Sequence, residues 1–165
     1  MNNLQAVRAW QSWAKENDSS AGDVFPFDGG GCPWFAPDQQ ANAAKHFLCF
    51  AQTGDGTLFA LWSEAGEAFD EAPIVALGNE GELGFIAQKA KDAIALFAAA
   101  GDENLDSTLA YGDLGEADDD LSEFVADTLG AALPKSFAPD AAKTRGLVDF
   151  IQKLTGNKYR AYSRD

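Results

Sequence analysis

The most informative part of the sequence is residues 46–62, which read HFLCFAQTGDGTLFALW. Two apolar runs flank the Gly-Asp-Gly segment at 54–56, and an Asp-Gly pair between apolar runs is a strong signal for a β-hairpin. The turn of such a hairpin needs positive φ angles, which glycine adopts at little cost. Both runs are apolar at consecutive positions, so we expect two central strands that are covered on both faces of a sheet.

The neighbouring segments extend this pattern in both directions. Residues 74–77 and 83–86 predict two further strands, the first led by Pro73 and the second preceded by the turn 78–81. Helical spacing of apolar residues predicts helices over residues 3–16, 89–100, 121–129 and about 140–155, with Asp120 and Glu123 spaced as a capping box. Residues 22–37 mix glycine, proline and aromatic residues, which favours an irregular loop pinned by buried rings.

We therefore predict a single α+β domain over residues 1–165. Its expected core is a central, mostly antiparallel sheet of four or more strands with flanking helices. A helix precedes this sheet, and a helical C-terminal region of about 101–165 follows it.

The segment 50–62, FAQTGDGTLFALW, resembles the central signature of the SUKH superfamily, which includes Smi/Knr-like regulators and bacterial immunity proteins. The order of the next elements is also similar: a proline-led strand at 73–77, a Gly/Glu turn at 78–82, a further strand, and a helix with Ile94, Leu96 and Phe97. The resemblance covers about residues 45–100. It implies a non-enzymatic binding fold without a cofactor, in which Gly54, Gly56 and Trp62 serve turn geometry and core packing.

The charge distribution is the most unusual feature of the composition. The formal net charge is −14, and residues 92–134 contain 11 acidic and no basic side chains, whereas residues 135–165 contain seven basic and three acidic ones. Such a charge repels nucleic acids and anionic membrane surfaces, so neither is an expected partner. Two interpretations of the acidic stretch remain open: solvated charge that keeps the protein soluble, and a surface that matches a basic protein partner.

On the second interpretation, the contact surface lies within residues 102–123. The side chains expected to supply its charge complementarity are Asp113, Glu116, Asp118, Asp119, Asp120 and Glu123. Trp34 and Phe35 are a second candidate, an exposed aromatic anchor, because aromatic residues dominate interface hot spots. We favour the alternative that these two rings plug one end of the sheet.

Few residues in the sequence could support catalysis or metal binding. His46 with Cys32 or Cys49 is a conceivable thiol–imidazole pair, although structural roles are the favoured interpretation of all three. The two cysteines could pair with each other, and we read them as reduced thiols. Residues 29–31 lack the spacing of a phosphate-binding loop, and residues 118–129 lack the glycine and glutamate of an EF-hand, so we expect no metal site.

The resemblance to the SUKH superfamily implies a protein without enzymatic activity that binds and neutralises one cognate bacterial toxin, and the acidic stretch leads us to expect a basic surface on that toxin. The alternatives are a regulatory or scaffold domain of the same family that binds an intracellular protein and, less favoured, a small Cys/His-dependent hydrolase. Residues 1–5 show no secretory signal, and no window reaches the roughly 18 apolar residues of a membrane span, so we expect a cytoplasmic protein. The oligomeric state is not predicted.

Overall fold

The computed structural model describes residues 1–162 and has the predicted α+β fold, with six helices and one six-stranded sheet within that range. A short 3-10 turn, Ala21–Asp23, precedes the first strand, and a π-helical turn, Val125–Leu129, continues the fifth helix. The helices are α1 (Asn3–Glu16), α2 (Gln40–Ala43), α3 (Ala90–Ala100), α4 (Leu105–Tyr111), α5 (Asp119–Phe124) and α6 (Ala141–Thr155). The strands are β1 (Val24–Pro26), β2 (Phe47–Thr53), β3 (Leu58–Trp62), β4 (Ile74–Leu77), β5 (Glu82–Ala87) and β6 (Arg160–Ala161).

The strands lie in sequence order across the sheet, from β1 at one edge to β6 at the other. Every neighbouring pair is antiparallel except β5 and β6, which are parallel. The prediction of a mostly antiparallel sheet of four or more strands is therefore confirmed, and β2–β5 are the four strands expected from the sequence. A register shift between Cys49 and Ala51 marks an irregularity in β2 opposite β3.

The sheet is buried on both faces, as the consecutive apolar residues of its central strands predicted. Along β3, Phe59 and Leu61 point to one face, and Leu58, Ala60 and Trp62 point to the other. Helices α1, α3, α4 and α5 contribute to the core on the first face. Helix α6 and the segment 32–43 cover the second face.

Helix α1 is anchored at its start. Asn2 forms a capping box with Gln5 at the start of the helix. The buried amide of Asn3 donates to the carbonyl oxygens of Ala72 and Gln88 at 2.9 and 3.0 Å, and its oxygen accepts from the N–H of Ala90 at 2.9 Å. These contacts tie the start of α1 to the β3–β4 connection and to α3, so the far end of α1 projects to a defined place.

Several local predictions were wrong. The segment 22–37 is not irregular throughout, because Val24–Pro26 pairs with β2 as an edge strand too short to give an alternating pattern. The cap of α5 is Asp118, whose side chain accepts from the N–H of Leu121 at 2.8 Å, and not Asp120, which lies inside the helix. The C-terminal region also contains a strand, β6, and its residues 163–165 lie outside the described part of the chain.

The prediction of two reduced thiols was also wrong. Cys32 and Cys49 form a disulfide with a Cα–Cα distance of 5.5 Å, a separation typical of disulfides. The bond ties the glycine-rich segment before Trp34 to β2, on the face of the sheet covered by α6. The two positions are 17 residues apart in sequence, and only the fold brings them together.

Among the helices of residues 1–162, none is long and apolar enough to cross a membrane.

Candidate functional site: an acidic cleft

The described surface contains an open cleft of about 720 Å³. Three chain segments form it: the end of α1 with the turn that follows, the connection from α3 to α4, and the start of α5. Its carboxylates are those of Asp18, Asp23, Asp102, Glu103, Glu116, Asp118, Asp119 and Asp120, and no lysine or arginine lines it. We call this feature the acidic cleft.

Close backbone contact between two of these segments shapes the cleft wall. Gly101 ends α3 with φ +56° and ψ −109°, a conformation that residues with a side chain avoid. A Cβ atom at this position would lie 1.7 Å from the carbonyl oxygen of Glu116. The N–H of Gly22 donates to the carbonyl oxygen of Gly101 at 2.8 Å, which holds the turn after α1 against the same point.

Three of the eight carboxylates have structural roles. Asp102 accepts from the N–H of Glu116 at 2.6 Å, Asp118 caps α5, and Asp23 accepts from the N–H of Gly54 at 3.2 Å. These bonds explain part of the acidic composition without any partner.

The other five carboxylates make no such hydrogen bond. The side chains of Asp18, Glu103, Glu116, Asp119 and Asp120 take part in none of the hydrogen bonds found in residues 1–162. The ion pairs in this range join Lys15 to Asp28, Lys89 to Glu71 and Arg160 to Glu82, all outside the cleft. The negative charge of the acidic cleft is therefore not compensated within the described chain.

A second, smaller depression of about 350 Å³ adjoins the acidic cleft and shares Trp13, Asn17 and Asp120 with it. The ring of Trp13 stacks on Phe124, with 5.2 Å between ring centroids and 23° between ring planes. Trp13 is half-buried, and Glu123 and Asp127 line the same depression. Trp13 therefore lies next to the carboxylates of both depressions.

Most of the predicted contact residues come together here. Glu116, Asp118, Asp119 and Asp120 line the acidic cleft, and Glu123 lines the adjoining depression. Asp113 is exposed but lines neither one. Sequence reasoning did not find Asp18 and Asp23, which lie about 80–100 residues earlier in the chain and reach the cleft through the turn after α1.

Trp34 and Phe35 are not an exposed aromatic anchor. Phe35 is 2% exposed and packs against Phe47 with 5.2 Å between ring centroids. The indole N–H of Trp34 donates to the carbonyl oxygen of Gly78 at 2.8 Å, and its ring lies 4.9 Å from that of Tyr159. Both rings pack on the sheet, as the favoured interpretation expected.

The residues considered for thiol chemistry are also held in structural contacts. Cys32 and Cys49 are joined to each other, so neither presents a thiolate to His46. His46 Nδ1 lies 2.9 Å from the carbonyl oxygen of Ser63, and its ring meets Phe150 edge-on at 5.0 Å. Within residues 1–162, no group of three or more His, Cys, Asp or Glu side chains is arranged to hold a metal ion.

Gly56 and Trp62 have the turn and packing roles expected of them, whereas Gly54 does not have a positive φ. Gly56 has φ +102° in the β2–β3 turn, and a Cβ at Gly54 would lie 2.7 Å from a carboxylate oxygen of Asp23. Trp62 is 7% exposed and packs edge-on against Phe150. Comparisons with family models, curated proteins and solved structures find no match for this chain.

Proposed function

We propose that this protein is a non-enzymatic immunity protein of the SUKH type, which binds a cognate bacterial toxin through the acidic cleft and neutralises it. The observation that supports the proposal is a cleft of about 720 Å³ lined by eight carboxylates and no lysine or arginine, in which five of the carboxylates make no hydrogen bond or ion pair within residues 1–162. Mutual repulsion among like charges costs stability, so an arrangement that concentrates them in a concave surface favours a partner that offsets the cost.

The chemistry of the cleft fits a basic protein surface. A toxin that acts on nucleic acid presents lysine and arginine side chains to phosphates, and the cleft offers carboxylates to the same side chains. Charge complementarity of this kind raises the association rate and suppresses binding to acidic proteins. Blocking the basic surface of the toxin would then neutralise it without any chemical reaction.

Trp13 lies where the centre of such a contact would be. A guanidinium group over the half-buried indole would gain a cation–π interaction, and the carboxylate of Asp120 borders both depressions that Trp13 lines. Arginine and tryptophan are the residues most enriched at interface hot spots. We therefore expect an arginine of the toxin to occupy the boundary between the two depressions.

Capture experiments with two matched triple variants test this proposal. The cleft variant, D18N/E103Q/E116Q, removes one carboxylate from each segment of the acidic cleft and none that takes part in a hydrogen bond. The control variant, E64Q/E67Q/D149N, removes three exposed acids elsewhere. Residues 64 and 67 belong to the β3–β4 connection, which contacts the start of α1. The start of α1 is roughly 20 Å along the helix from the end that lines the acidic cleft. Asp149 lies on α6, on the opposite face of the sheet.

Each protein is immobilised, exposed to lysate of the source organism and eluted with rising salt. The proposal expects one stoichiometric partner with a basic domain that elutes from the wild type and the control variant but binds the cleft variant weakly. When it is expressed alone, that partner must arrest growth. A non-toxic housekeeping protein would point to the regulatory alternative, and equal retention by all three proteins would refute the role of the cleft.

One observation argues against the proposed cytoplasmic location. Thioredoxin and glutathione keep most cytoplasmic cysteines reduced, whereas Cys32 and Cys49 form a disulfide in this structure. Trapping free thiols with a maleimide at the moment of cell lysis decides the matter. Two alkylated cysteines support the cytoplasm, and none supports an oxidising compartment.

A further inference from the structure

A compact polar cluster lies where the β2–β3 turn meets the start of α4. The hydroxyl of Thr57, a fully buried residue, donates to Asp106 Oδ1 at 2.6 Å. The hydroxyl of Thr53 donates to the carboxylate of Asp55, and the N–H of Thr57 donates to the Thr53 hydroxyl at 3.1 Å. Thr53 and Thr57 thus join the carboxylates of Asp55 and Asp106 in one hydrogen-bonded cluster. We call Asp55 and Asp106 the carboxyl pair.

Within residues 1–162, no lysine or arginine forms an ion pair with either residue of the carboxyl pair. Asp106 Oδ2 is buried and has no hydrogen-bond donor in residues 1–162. The buried hydroxyl of Tyr162, which follows β6, lies near both carboxylates, and Glu82 on β5 lies near Tyr162 in turn. The nearest cation on these elements, Arg160, lies 3.6 Å from Glu82 and pairs with it. Two ionised carboxylates at this point would repel each other, so one proton shared between them stabilises the contact.

We propose that the carboxyl pair is a proton-dependent latch, in which a proton on Asp106 bridges to Asp55 and holds the start of α4 against the β2–β3 turn. When the pH rises, the proton passes to bulk water and the two carboxylates repel each other. The start of α4 then separates more readily from the turn. Because Asn104, which caps α4, also lines the acidic cleft, the latch controls how firmly one wall of the cleft is held.

The titration of the two groups supports this role. Burial raises the pKa of Asp106 to about 6, and the neighbouring Asp55 adds to the rise. For Asp55, partial burial would raise the pKa, but hydrogen bonds from Asp106 and Thr53 outweigh it, so its pKa lies below the ordinary value. The proton of the pair therefore resides on Asp106.

The sign of the pH effect follows from linkage. The native state holds the Asp106 proton up to a pH of about 6, whereas the opened or unfolded state loses it near 3.8. The stabilising effect of the latch is thus complete below the lower value and is lost as the pH rises through the upper one. With these two values, the opening equilibrium increases about tenfold between pH 5 and pH 7.5.

Hydrogen exchange measured on the wild type, D106N and D149N tests the latch without any partner, so the result does not depend on the proposed function. After correction for intrinsic exchange, amides of residues 53–58 and 104–111 should lose about tenfold protection between pH 5 and pH 7.5 in the wild type and in D149N. In D106N, which mimics the protonated side chain, protection should not change. An equal loss in D106N would overturn the proposal.

A second measurement covers the case in which D106N fails to fold. The carboxyl carbon of Asp106, followed by ¹³C NMR, should titrate near pH 6 in the wild type and closer to an ordinary aspartate in D55N, because the repelling neighbour is gone. An ordinary midpoint in the wild type, or the same midpoint in D55N, would also overturn the latch.

Discussion

The carboxylate of Asp102 accepts a hydrogen bond from the backbone N–H of Glu116 at 2.6 Å. This bond closes the segment 102–116, which contains α4, and brings its two ends to the same wall of the acidic cleft. The most acidic part of the sequence is therefore folded back on itself by one of its own carboxylates. The Asp102 carboxylate is used in this bond and the Glu116 carboxylate is not, so structural and partner-binding roles can be tested at separate residues.

The approach of Gly101 to Glu116 predicts a large difference between two glycine substitutions. We expect G101A to destabilise the protein by at least ~3 kcal/mol, because its Cβ would overlap the carbonyl oxygen of Glu116 in a backbone conformation closed to alanine. G130A is the matched control, with positive φ but nothing within 4 Å of the added atom, and should cost about 1 kcal/mol. Urea unfolding measures both changes. Equal costs would show that the close contact is absent.

Asp118 and Asp120 should respond differently to the same substitution. D118A removes the cap of α5 and should cost about 1 kcal/mol, whereas D118N keeps an acceptor and should cost much less. D120A removes a first-turn charge only, so we expect a loss below ~1 kcal/mol from the helix dipole. Thermal unfolding of the three variants gives the ranking. A larger loss of stability for D120A than for D118A would instead support the capping box between Asp120 and Glu123 that the sequence predicted.

Repulsion inside the acidic cleft predicts that the cleft variant, D18N/E103Q/E116Q, is more stable than the wild type at low salt. Relief of several like-charge contacts should add on the order of 0.5–1 kcal/mol. The gain should shrink near 1 M salt, where the screening length is about 3 Å. The control variant, E64Q/E67Q/D149N, should show a smaller gain under the same conditions. A gain in the cleft variant that does not depend on salt would exclude electrostatic repulsion as its cause.

The disulfide predicts a measurable loss of stability on its removal. Closing a loop of this size restricts the unfolded chain, so C32A/C49A should be about 3 kcal/mol less stable than the oxidised protein. Thiol titration of the denatured protein should find no free thiol before reduction and two afterwards. Two thiols before reduction, or no difference in unfolding between oxidised and reduced protein, would contradict the pairing.

The sequence predicted the centre of the fold better than its edges. The Asp-Gly turn and the consecutive apolar residues of β2 and β3 predicted a hairpin covered on both faces, because these are local signals. The edge strands β1 and β6 have three and two residues, too few for any periodic pattern. Helix α4 has seven residues, about two turns, which is too short for a sustained helical pattern of apolar residues.

The candidate site was predicted in part. The acidic residues of 116–123 stood out by composition, and five of the six predicted contact residues line the acidic cleft or the depression beside it. Asp18 and Asp23 could not be found in this way, because their place depends on the path of the turn after α1. Asp18 and Asp23 both have positive φ angles, which the amino-acid sequence does not predict. The disulfide depends on tertiary proximity in the same way.

The most direct test of the account is growth protection. Cells that express the captured partner alone are compared with cells that also express the wild type, the cleft variant or the control variant at equal protein levels. The account predicts growth arrest by the partner alone, full recovery with the wild type and the control variant, and markedly weaker recovery with the cleft variant. Full protection by the cleft variant, or a partner that does not impair growth, would contradict it.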